Sequence, residues 1–481
     1  MPDAQIAASH YESDGAGDGQ KLLVNFYAEA NPQDPARPFR LATSPGSRLI
    51  DNASTLATGV RGLFQSDGYA SGKIIVPDGT VMRLMTSAGS FSTVSGTLAG
   101  TDRVKAAFGE VQAAFLANGT IYVSAAAGSS LAAASDADWA TLLSDHGESA
   151  FSSITSMGQR LIATYGSRFG YSTTLEFNTT TTISWYTAES APDGIIAAKA
   201  LGSMLYVFGS QTIEPWVQTG DNDDPFQPIV GHVIQTGCAA RDTIVELDNT
   251  IFFIGDDRTV RRIDGLTASI INIDDPWVTR ALIGVDMSTV VCQAYQIDTH
   301  SFYVINAPTF CIIYDIATKT FHTRKTASQT TWEWAFLVRV GPTLYGASRL
   351  NEKLVELSRA YFSDDMADAN TYGTAITRQF TAHLPVKMGR RAISSVRLEG
   401  TKGIGLASGQ GSAPIVSMYK SSDKGLSYGS ERQKSLGVQG AYSARSVWWR
   451  CGRGEPEQTV FKFECADPIN FIPTRIAVNE I

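Results

Sequence analysis

Residues 112–125 read QAAFLANGTIYVSA, two apolar runs that meet at Asn118–Gly119. Asn-Gly is a strong signal for a two-residue β-hairpin, because both residues tolerate the positive φ angles of that turn. Six other stretches repeat the plan of an apolar strand, a tight turn and a second apolar strand. Their turns centre on Gly79, Gly158, Gly202, Asn249, His300 and Gly341. The sequence therefore predicts seven hairpins in its middle part.

The spacing of these turns decides between fold classes. In chain order the seven turns are 40, 39, 44, 47, 51 and 41 residues apart. A repeat of about 40–50 residues with several strands per unit is typical of β-propeller blades. The strand-like alternation and the Gly-rich turns exclude helical repeats of similar length. We predict a mainly β protein with a propeller of six or seven blades over residues 61–360.

The two flanks of this region have a different composition. In residues 1–60, Gly and Pro surround one strand, KLLVNFYAEA at 21–30. That pattern predicts an N-terminal arm or platform segment laid on other subunits, with a loosely attached terminus as the alternative. Residues 361–481 contain strands with one apolar face, which predicts a C-terminal domain resembling a β-sandwich. Only residues 136–147 and 274–285 suggest helices, each of two or three turns.

Charge is distributed unevenly along the 481 residues. The net charge is −8, but residues 361–481 carry 15 Lys and Arg against 11 Asp and Glu. The first 360 residues carry 24 basic against 36 acidic side chains. A nucleic-acid-binding protein is usually basic overall or has a strong basic stripe, so this profile argues against tight DNA binding. It fits a surface that repels a polyanion.

The cysteines and the hydropathy of the sequence predict the compartment in which the protein is made. The five cysteines (Cys238, Cys292, Cys311, Cys451 and Cys465) form no C-x-x-C pair. An odd number without such spacing predicts reduced thiols in a protein made in a cytoplasm, and neither a disulfide framework nor a zinc site. No run of 18 apolar residues occurs, so we expect no membrane-spanning segment, and the first ten residues do not resemble a signal peptide.

Residues 421–429, SSDKGLSYG, match the Asp-box signature Ser-x-Asp-x-Gly-x-x-aromatic. The residues concerned are Ser421, Asp423, Gly425 and Tyr428. The signature occurs on sialidases and also on many proteins without catalytic activity. Side chains of Asp and Ser can accept bonds from backbone N–H groups across a turn, while Gly takes a positive φ and the aromatic ring packs beneath. We predict that this box folds a structural turn.

A glycan-cleaving enzyme is the alternative that the box raises. A retaining sialidase needs an arginine cluster for the substrate carboxylate, a Tyr nucleophile paired with Glu, and an acidic Asp. Here Arg258, Arg261 and Arg262 share one strand-like stretch, and the box lies outside the repeats. No other motif supplies chemistry, so the sequence predicts no catalytic residue, cofactor or metal site.

The acidic stretch DNDDP contains Asp221, Asp223 and Asp224. An EF-hand would place Gly at the sixth loop position and Glu at the twelfth, where this sequence has Phe226 and His232. A solvated acidic loop is therefore the better interpretation.

Three stretches resemble one protein family. Residues 186–220, YTAESAPDGIIAAKALGSMLYVFGSQTIEPWVQTG, are similar to the signature region of the packaged-DNA stabilisation protein of short-tailed phages, also called the tail hub or nozzle. Residues 421–464 resemble the final domain of that family, although VWWRCGR at 447–453 is less basic than its usual version. LVNFYAEANP at 23–32 is similar to its opening strand.

The resemblance implies a structural role in a virion. It implies a homo-hexameric tube below the portal and adaptor rings, with a propeller in each subunit, that keeps DNA in the head until infection. Implied partners are the adaptor, a tail needle or plug, and a tail fibre or tailspike, and double-stranded DNA passes through without specific binding.

An acidic lumen suits such a conduit, because stacked basic contacts would bind DNA and slow its ejection. Candidate lumen residues are Asp221, Asp223, Asp224, Asp256 and Asp257. The competing function is a carbohydrate-binding or glycan-cleaving propeller, such as a receptor-binding tail protein.

Overall fold

The computed structural model describes residues 4–12, 20–31, 39–50, 56, 59–188, 193–327, 329–367, 372–384, 389–456 and 458–479. Strands account for 47% of the residues and helices for 6%. Contacts divide the chain into unit 1 (residues 1–49, 296–333 and 355–481) and unit 2 (residues 50–295 and 334–354). This partition differs from the boundaries at 60 and 361 that the sequence suggests, and that three-part division stays a prediction.

The N-terminal segment contributes five strands, β1 Gln5–Ile6, β2 Leu23–Val24, β3 Phe26–Ala30, β4 Phe39–Thr43 and β5 Gly46–Leu49. The stretch KLLVNFYAEA forms β2 and β3, which are separated by Asn25 at φ 58°. Strands β3 and β4 pair antiparallel. Leu23, Phe26 and Leu41 are buried in the core of unit 1. These residues therefore belong to a packed core of their own unit.

Five antiparallel sheets follow one another in unit 2. Sheet 1 contains β6 Ile74–Asp78, β7 Val81–Met85 and β8 Phe91–Thr93. Sheet 2 contains β9 Lys105–Phe108, β10 Gln112–Ala117, β11 Thr120–Ala125 and β12 Ala132–Ala133. Sheet 3 contains β13 Ser153–Met157, β14 Arg160–Tyr165, β15 Arg168–Tyr171 and β16 Trp185–Thr187.

Sheets 4 and 5 have the same four-stranded plan. Sheet 4 contains β17 Ile195–Leu201, β18 Met204–Gly209, β19 Ile213–Gln218 and β20 Phe226–Pro228. Sheet 5 contains β21 Val245–Leu247, β22 Thr250–Ile254, β23 Val260–Asp264 and β24 Thr267–Ile270. Helices α1 Ala137–Asp145 and α2 Pro276–Leu282 lie in the connections before β13 and after β24, which confirms both predicted helices.

The next strands are β25 Val291–Ile297, β26 His300–Asn306, β27 Cys311–Asp315, β28 Thr320–Thr323, β29 Trp334–Val340, β30 Thr343–Ser348 and β31 Leu354–Ser358. In unit 1, β26, β27 and β28 pair antiparallel in that order, and β31 pairs with β5. In unit 2, β29 and β30 form a hairpin.

The C-terminal part completes unit 1. Its strands are β32 Ser363–Asp364, β33 Thr374–Ala375, β34 Arg378–His383, β35 Arg391–Ala392, β36 Ser395–Gly400, β37 Ile415–Ser421, β38 Arg432–Ser435, β39 Ser446–Trp449, β40 Arg453–Gly454, β41 Val460–Cys465 and β42 Pro473–Val478. One sheet has the order β34-β41-β37-β38 and another has β39-β36-β42. Phe380 and Phe463 of the first pack with Val396 and Trp448 of the second in one apolar core, as in a sandwich.

All seven predicted turns join antiparallel strands. Each has a residue of positive φ, for example 73° at Gly119, 58° at Gly202 and 52° at Asp298, just before His300. Residues 60–64 bridge to β6 and act as the innermost strand of sheet 1. The Gly79 turn therefore joins the second and third strands of sheet 1. The Gly119 turn does the same in sheet 2, where β9 is the first strand, whereas the other five turns join the first and second strands. The even spacing in the sequence hides this difference.

Neighbouring residues on one strand pack against different sheets. On β10, Phe115 lies in the apolar cluster shared with sheet 1, and Leu116 lies in the cluster shared with sheet 3. Val207 and Phe208 on β18 likewise face sheets 3 and 5. This follows because successive side chains of a strand point to opposite faces. Strand β13 contacts both β9 and β17, so the first strands converge, as in a propeller.

Candidate functional site

The Asp-box residues form one hydrogen-bonded turn after β37. Ser421 Oγ accepts from the backbone N–H groups of Gly425 (2.8 Å) and Asp423 (3.2 Å) and donates to Asp423 Oδ1 (2.6 Å). Asp423 Oδ1 also accepts from the backbone N–H of Ser427 at 2.9 Å. Gly425 has φ 92°, which favours glycine. Every polar side-chain atom named here serves the turn itself.

Ionisation in this turn matches a structural arrangement. Hydrogen bonds from Ser421 and Ser427 lower the pKa of Asp423 to about 2, so the carboxylate stays charged at neutral pH. Burial and the nearby Asp423 charge raise the pKa of Tyr428 to about 12. Lys462 Nζ lies 5.0 Å from the centre of the Tyr428 ring. A half-buried neutral phenol beside a permanently ionised carboxylate stabilises a turn and supplies no group that titrates near pH 7.

The five candidate lumen acids do not lie together. Asp221, Asp223 and Asp224 are exposed in the loop between the third and fourth strands of sheet 4, β19 and β20. Asp256 and Asp257 are exposed in the turn between the second and third strands of sheet 5, β22 and β23. Antiparallel strands alternate in direction, so these connections lie at opposite ends of the sheets. We call them the turn end, with Asp221, and the entry end, where the chain enters each first strand.

Three exposed loops at the turn end form one surface. Arg160, next to the β13–β14 turn, donates to Asn222 Oδ1 at 3.2 Å. Gln159 in that turn donates to Glu110 Oε2 at 3.0 Å and accepts at its carbonyl from Leu175 N–H at 2.9 Å. Contacts from this turn thus reach loops of sheets 2, 3 and 4. We define the acidic turn face by its exposed carboxylates, Glu110, Glu176, Asp221, Asp223 and Asp224.

The entry-end acids have local partners. Asp256 Oδ1 accepts from Thr236 Oγ1 (3.1 Å) and Gly237 N–H (3.2 Å). Asp257 accepts from Thr259 and forms an ion pair with Arg261 at 2.7 Å. Burial alone would raise the pKa of Asp257, but these bonds together lower it. Asp257 is therefore partly neutralised by its own turn.

A network of charged side chains around the buried Asp242, at the entry end, was not predicted from the sequence. Asp242, directly before sheet 5 and only 7% exposed, pairs with Arg103 at 2.8 Å and with Lys105. Arg103 and Lys105 belong to the entry of sheet 2. Burial would raise the pKa of Asp242, but Lys105, Arg103 and Arg241 together lower it. The link joins sheets that are not neighbours and therefore crosses the propeller axis.

Further contacts extend this axial network. Arg241 donates to the carbonyl of Ser152, at the entry of sheet 3, at 2.7 Å. Arg61 pairs with Asp102 at 2.9 Å. Arg103 also donates to the carbonyls of Thr289 and Val290, both at 2.8 Å. Side chains thus occupy the space between the first strands at this end. No local motif reveals the network, because its members lie far apart in the sequence.

A basic surface lies on and next to the edge strands β38 and β39 of unit 1 and includes the first residue of β40. Arg432 on β38 donates to the carbonyl of Trp449 on β39 at 2.5 Å, and Trp448 Nε1 donates back to the Arg432 carbonyl at 2.7 Å. Side-chain bonds thus hold the two edges together. Trp449 is 47% exposed. We define the basic edge face by Arg432, Lys434, Arg445, Trp449, Arg450 and Arg453.

Other features that suggest chemistry are weak in the described part of the chain. There, no group of three or more His, Cys, Asp or Glu side chains is placed to hold a metal ion. All five cysteines are buried. A cleft of about 600 Å³ in unit 1 is lined in part by Lys21, Arg40, His383 and Arg475, and no described lining residue carries a carboxylate. No described helix is both long and apolar enough to cross a membrane.

Family comparison places the chain. A model described as the β-propeller of bacteriophage P22 Gp10 matches residues 9–338, and a model of the P22 Gp10 β-sandwich matches residues 377–479. The chain belongs to the P22 Gp10 family. Gp10 is a packaged-DNA stabilisation protein, so the predicted resemblance and the propeller-plus-sandwich fold are confirmed. As a Gp10-family member the chain is a virion protein, a structural component of the phage tail of the DNA-stabilisation type. Part of the signature, residues 189–192, lies outside the described residues.

Three solved structures are distantly similar to the Gp10-family chain, with TM-scores below 0.5. The structure of U3-55K covers 65% of this chain and 98% of its own, at 10% identity and a TM-score of 0.38. The RRP9 WD40 repeats cover 66% and 99%, at 10% identity and a TM-score of 0.40. The N-terminal domain of Nup159 covers 70% and 98%, at 8% identity and a TM-score of 0.40. A comparison with curated protein sequences finds no match.

Proposed function

We propose that this protein forms a ring-shaped hub, a homo-hexamer, below the portal and adaptor of a short-tailed phage. The ring closes the head, retains packaged DNA and conducts it during ejection. The observation that carries the proposal is the match of both Gp10-family models, which together span most of the chain. The adaptor, a tail needle or plug, and a tail fibre or tailspike are its proposed partners, after synthesis in the host cytoplasm.

The conduit in this proposal lies between subunits. The axial network fills the entry end of each propeller with ion-paired side chains around Asp242. A duplex therefore has no path along the axis of one propeller. We propose instead a lumen at the centre of the ring, lined by acidic surface of the first 360 residues. The two candidate groups, Asp221, Asp223 and Asp224 at one end of the propeller and Asp256 and Asp257 at the other, are separate parts of this acidic surface and can be tested separately.

We also propose that the protein has no enzymatic activity. The Asp-box carboxylate is bound within its own turn, and the described cleft has no carboxylate lining, so neither resembles the acid pair of a glycosidase. No observation favours the glycan-cleaving alternative. Assays with sialosides and other glycans should show no turnover. If the protein did cleave a glycan, and Asp423→Ala abolished this turnover without unfolding the protein, the glycan-cleaving alternative would be supported.

Electron microscopy in negative stain tests the hub directly. The purified protein, alone and mixed with its adaptor, should form rings, and the adaptor should dock on one face of them. A protein that stays monomeric in both samples would contradict the hub. Rings with a number of subunits other than six would contradict the hexamer but not the function as a hub.

A further inference from the structure

Two charged surfaces of the molecule form no ion pairs within the described part of the chain. On the acidic turn face, Glu110, Glu176, Asp221, Asp223 and Asp224 form no ion pair with a described basic side chain. On the basic edge face, Arg432, Lys434, Arg445, Arg450 and Arg453 form no ion pair with a described acidic one.

The acidic turn face is preorganised. Asp221 Oδ1 accepts from the backbone N–H of Asp223 at 2.9 Å, and Thr219 donates to the carbonyl of Asp224 at 2.6 Å. The Tyr186 hydroxyl donates to Asp224 Oδ1. These bonds fix the conformation of the loop, and Asp221 and Asp223 remain exposed to solvent. A fixed group of like charges is a good receptor for a complementary surface, because little ordering entropy remains to be lost.

The basic edge face has the composition of an interface. Arg and Trp are the side chains most often found at the centre of protein interfaces, and both occur here within residues 445–453. Trp449 exposes nearly half of its surface beside Arg450. One acid, Glu431, lies at the edge of this face and bonds to Gln433 at 2.9 Å. The face stays net positive.

We infer that the basic edge face of one copy of this chain docks on the acidic turn face of a second copy. The inference rests on the proposed ring and names the surfaces that build it. A nucleic acid would be attracted by the basic face and repelled by the acidic one, so it accounts for one surface only. A second copy accounts for both. Two different, complementary surfaces on each copy make a head-to-tail contact, which closes into a ring when the rotation permits.

The same inference assigns the lumen candidates. If Asp221, Asp223 and Asp224 are buried between copies, they do not line the channel. Of the five candidates, only Asp256 and Asp257 at the entry end then remain as proposed lumen residues. The two groups therefore have separate roles, and separate substitutions distinguish them.

Charge reversal tests the contact. The acid variant carries Asp221→Lys, Asp223→Lys and Asp224→Lys, and the base variant carries Arg445→Glu, Arg450→Glu and Arg453→Glu. Each should lose ring assembly, with an association constant at least ~100-fold weaker, because like charges then face each other across every contact. Sedimentation velocity and native mass spectrometry at low and moderate salt measure the species, and thermal unfolding verifies that each variant is folded.

Mixing the two variants gives the decisive result. Lys on the acid variant meets Glu on the base variant, and Asp meets Arg at the next contact, so the mixture should form rings in which the two alternate. A control with Asp145→Lys, Glu148→Lys and Asp274→Lys makes the same charge change at the entry end and should assemble as wild type. If the wild type forms rings and both variants form the same rings, the proposed contact is wrong, and the proposed hub still stands. A wild-type chain that stays monomeric at low salt, even with adaptor, would overturn both.

Discussion

At the scale of single residues, the Asp-box turn depends on one buried hydroxyl. Ser421 Oγ is the acceptor for two backbone N–H groups, and Ser421 is only 1% exposed. Ser421→Ala leaves these donors without their acceptor, so we expect the free energy of unfolding to fall by about 1–2 kcal/mol. Chemical denaturation measures this change. Ser422→Ala, an exposed neighbour, should change stability by less than ~0.5 kcal/mol, and an equal loss in both variants would contradict this account of the turn.

A second residue-scale prediction concerns acid. His322 is buried, neither ring nitrogen has a hydrogen-bond partner, and burial lowers its pKa to about 3 despite the opposing charge of Asp315. The charges of Arg324, His10 and His300 lower it further. The unfolded chain binds a proton near pH 6.5 and the folded chain does not, so this residue removes stability as the pH falls from about 6.5 towards 3.

The loss from His322 approaches about 1.4 kcal/mol for each pH unit in that range. Urea midpoints at pH 7.5 and pH 5 should therefore differ more for the wild type than for His322→Leu, which has no titrating group. His232→Gln, a change at an exposed histidine, should keep the wild-type difference. Identical pH dependence in the wild type and His322→Leu would show that the imidazole is already protonated or paired in the folded state.

At the scale of the strand and its turn, two glycines separate backbone strain from collision. Gly119 and Gly202 both have positive φ, 73° and 58°. A methyl group at Gly119 would overlap Ala150, whereas a methyl group at Gly202 meets nothing within 4 Å. Gly202→Ala should cost about 1 kcal/mol from conformation alone, and Gly119→Ala should cost more. Thermal unfolding compares them, and equal losses would mean that the Ala150 segment gives way.

The same elements show what a sequence can predict. Hairpin turns and helix α1 were predictable because Asn-Gly, Gly and an N-terminal Asp act within a few residues. The position of Gly79 between second and third strands was not, because residues 60–64 become the first strand of sheet 1 only through bridges to β6. Asp221 and Asp256 were grouped as candidate lumen residues because of the acidic composition alone. The directions of the strands place them at opposite ends of the sheets. The Arg103–Asp242 pair joins residues 139 positions apart, so no local sequence pattern predicts it.

At the scale of the whole molecule, the axial network should hold the first strands of distant sheets together. Asp242→Asn removes a buried charge that faces Arg103, Lys105 and Arg241. Three cations would then lack their shared partner, and we expect a loss of about 3 kcal/mol in the free energy of unfolding. Asp257→Asn, at a more exposed ion pair, should lose at most ~1 kcal/mol. Similar losses in the two variants would show that the network contributes little.

The lumen gives the corresponding test in assembled particles. Duplex DNA carries a charge about every 1.7 Å, so a few added cations multiplied around a ring make a salt-sensitive brake. Asp256→Lys with Asp257→Lys should slow DNA release at low salt, and moderate salt should relieve the delay. Release at the wild-type rate in low salt would remove these residues from the lumen. Asp67→Lys with Asp248→Lys, at two exposed positions of the turn end outside the acidic turn face, serves as the matched charge control.

The discontinuous make-up of unit 1 has a consequence for biosynthesis. Phe26 packs edge-on against Phe380 at 5.9 Å between ring centres and lies in one core with Phe463. A ribosome makes Phe26 early and Phe380 late, after nearly the whole of unit 2 has emerged. The apolar N-terminal strands therefore lack their core partners during most of translation, and they pack only after the last strands have been synthesised. A transcript cut short before Phe380 yields a chain whose opening segment has no core to join, which makes such fragments ready targets for chaperones and proteases of the infected cell.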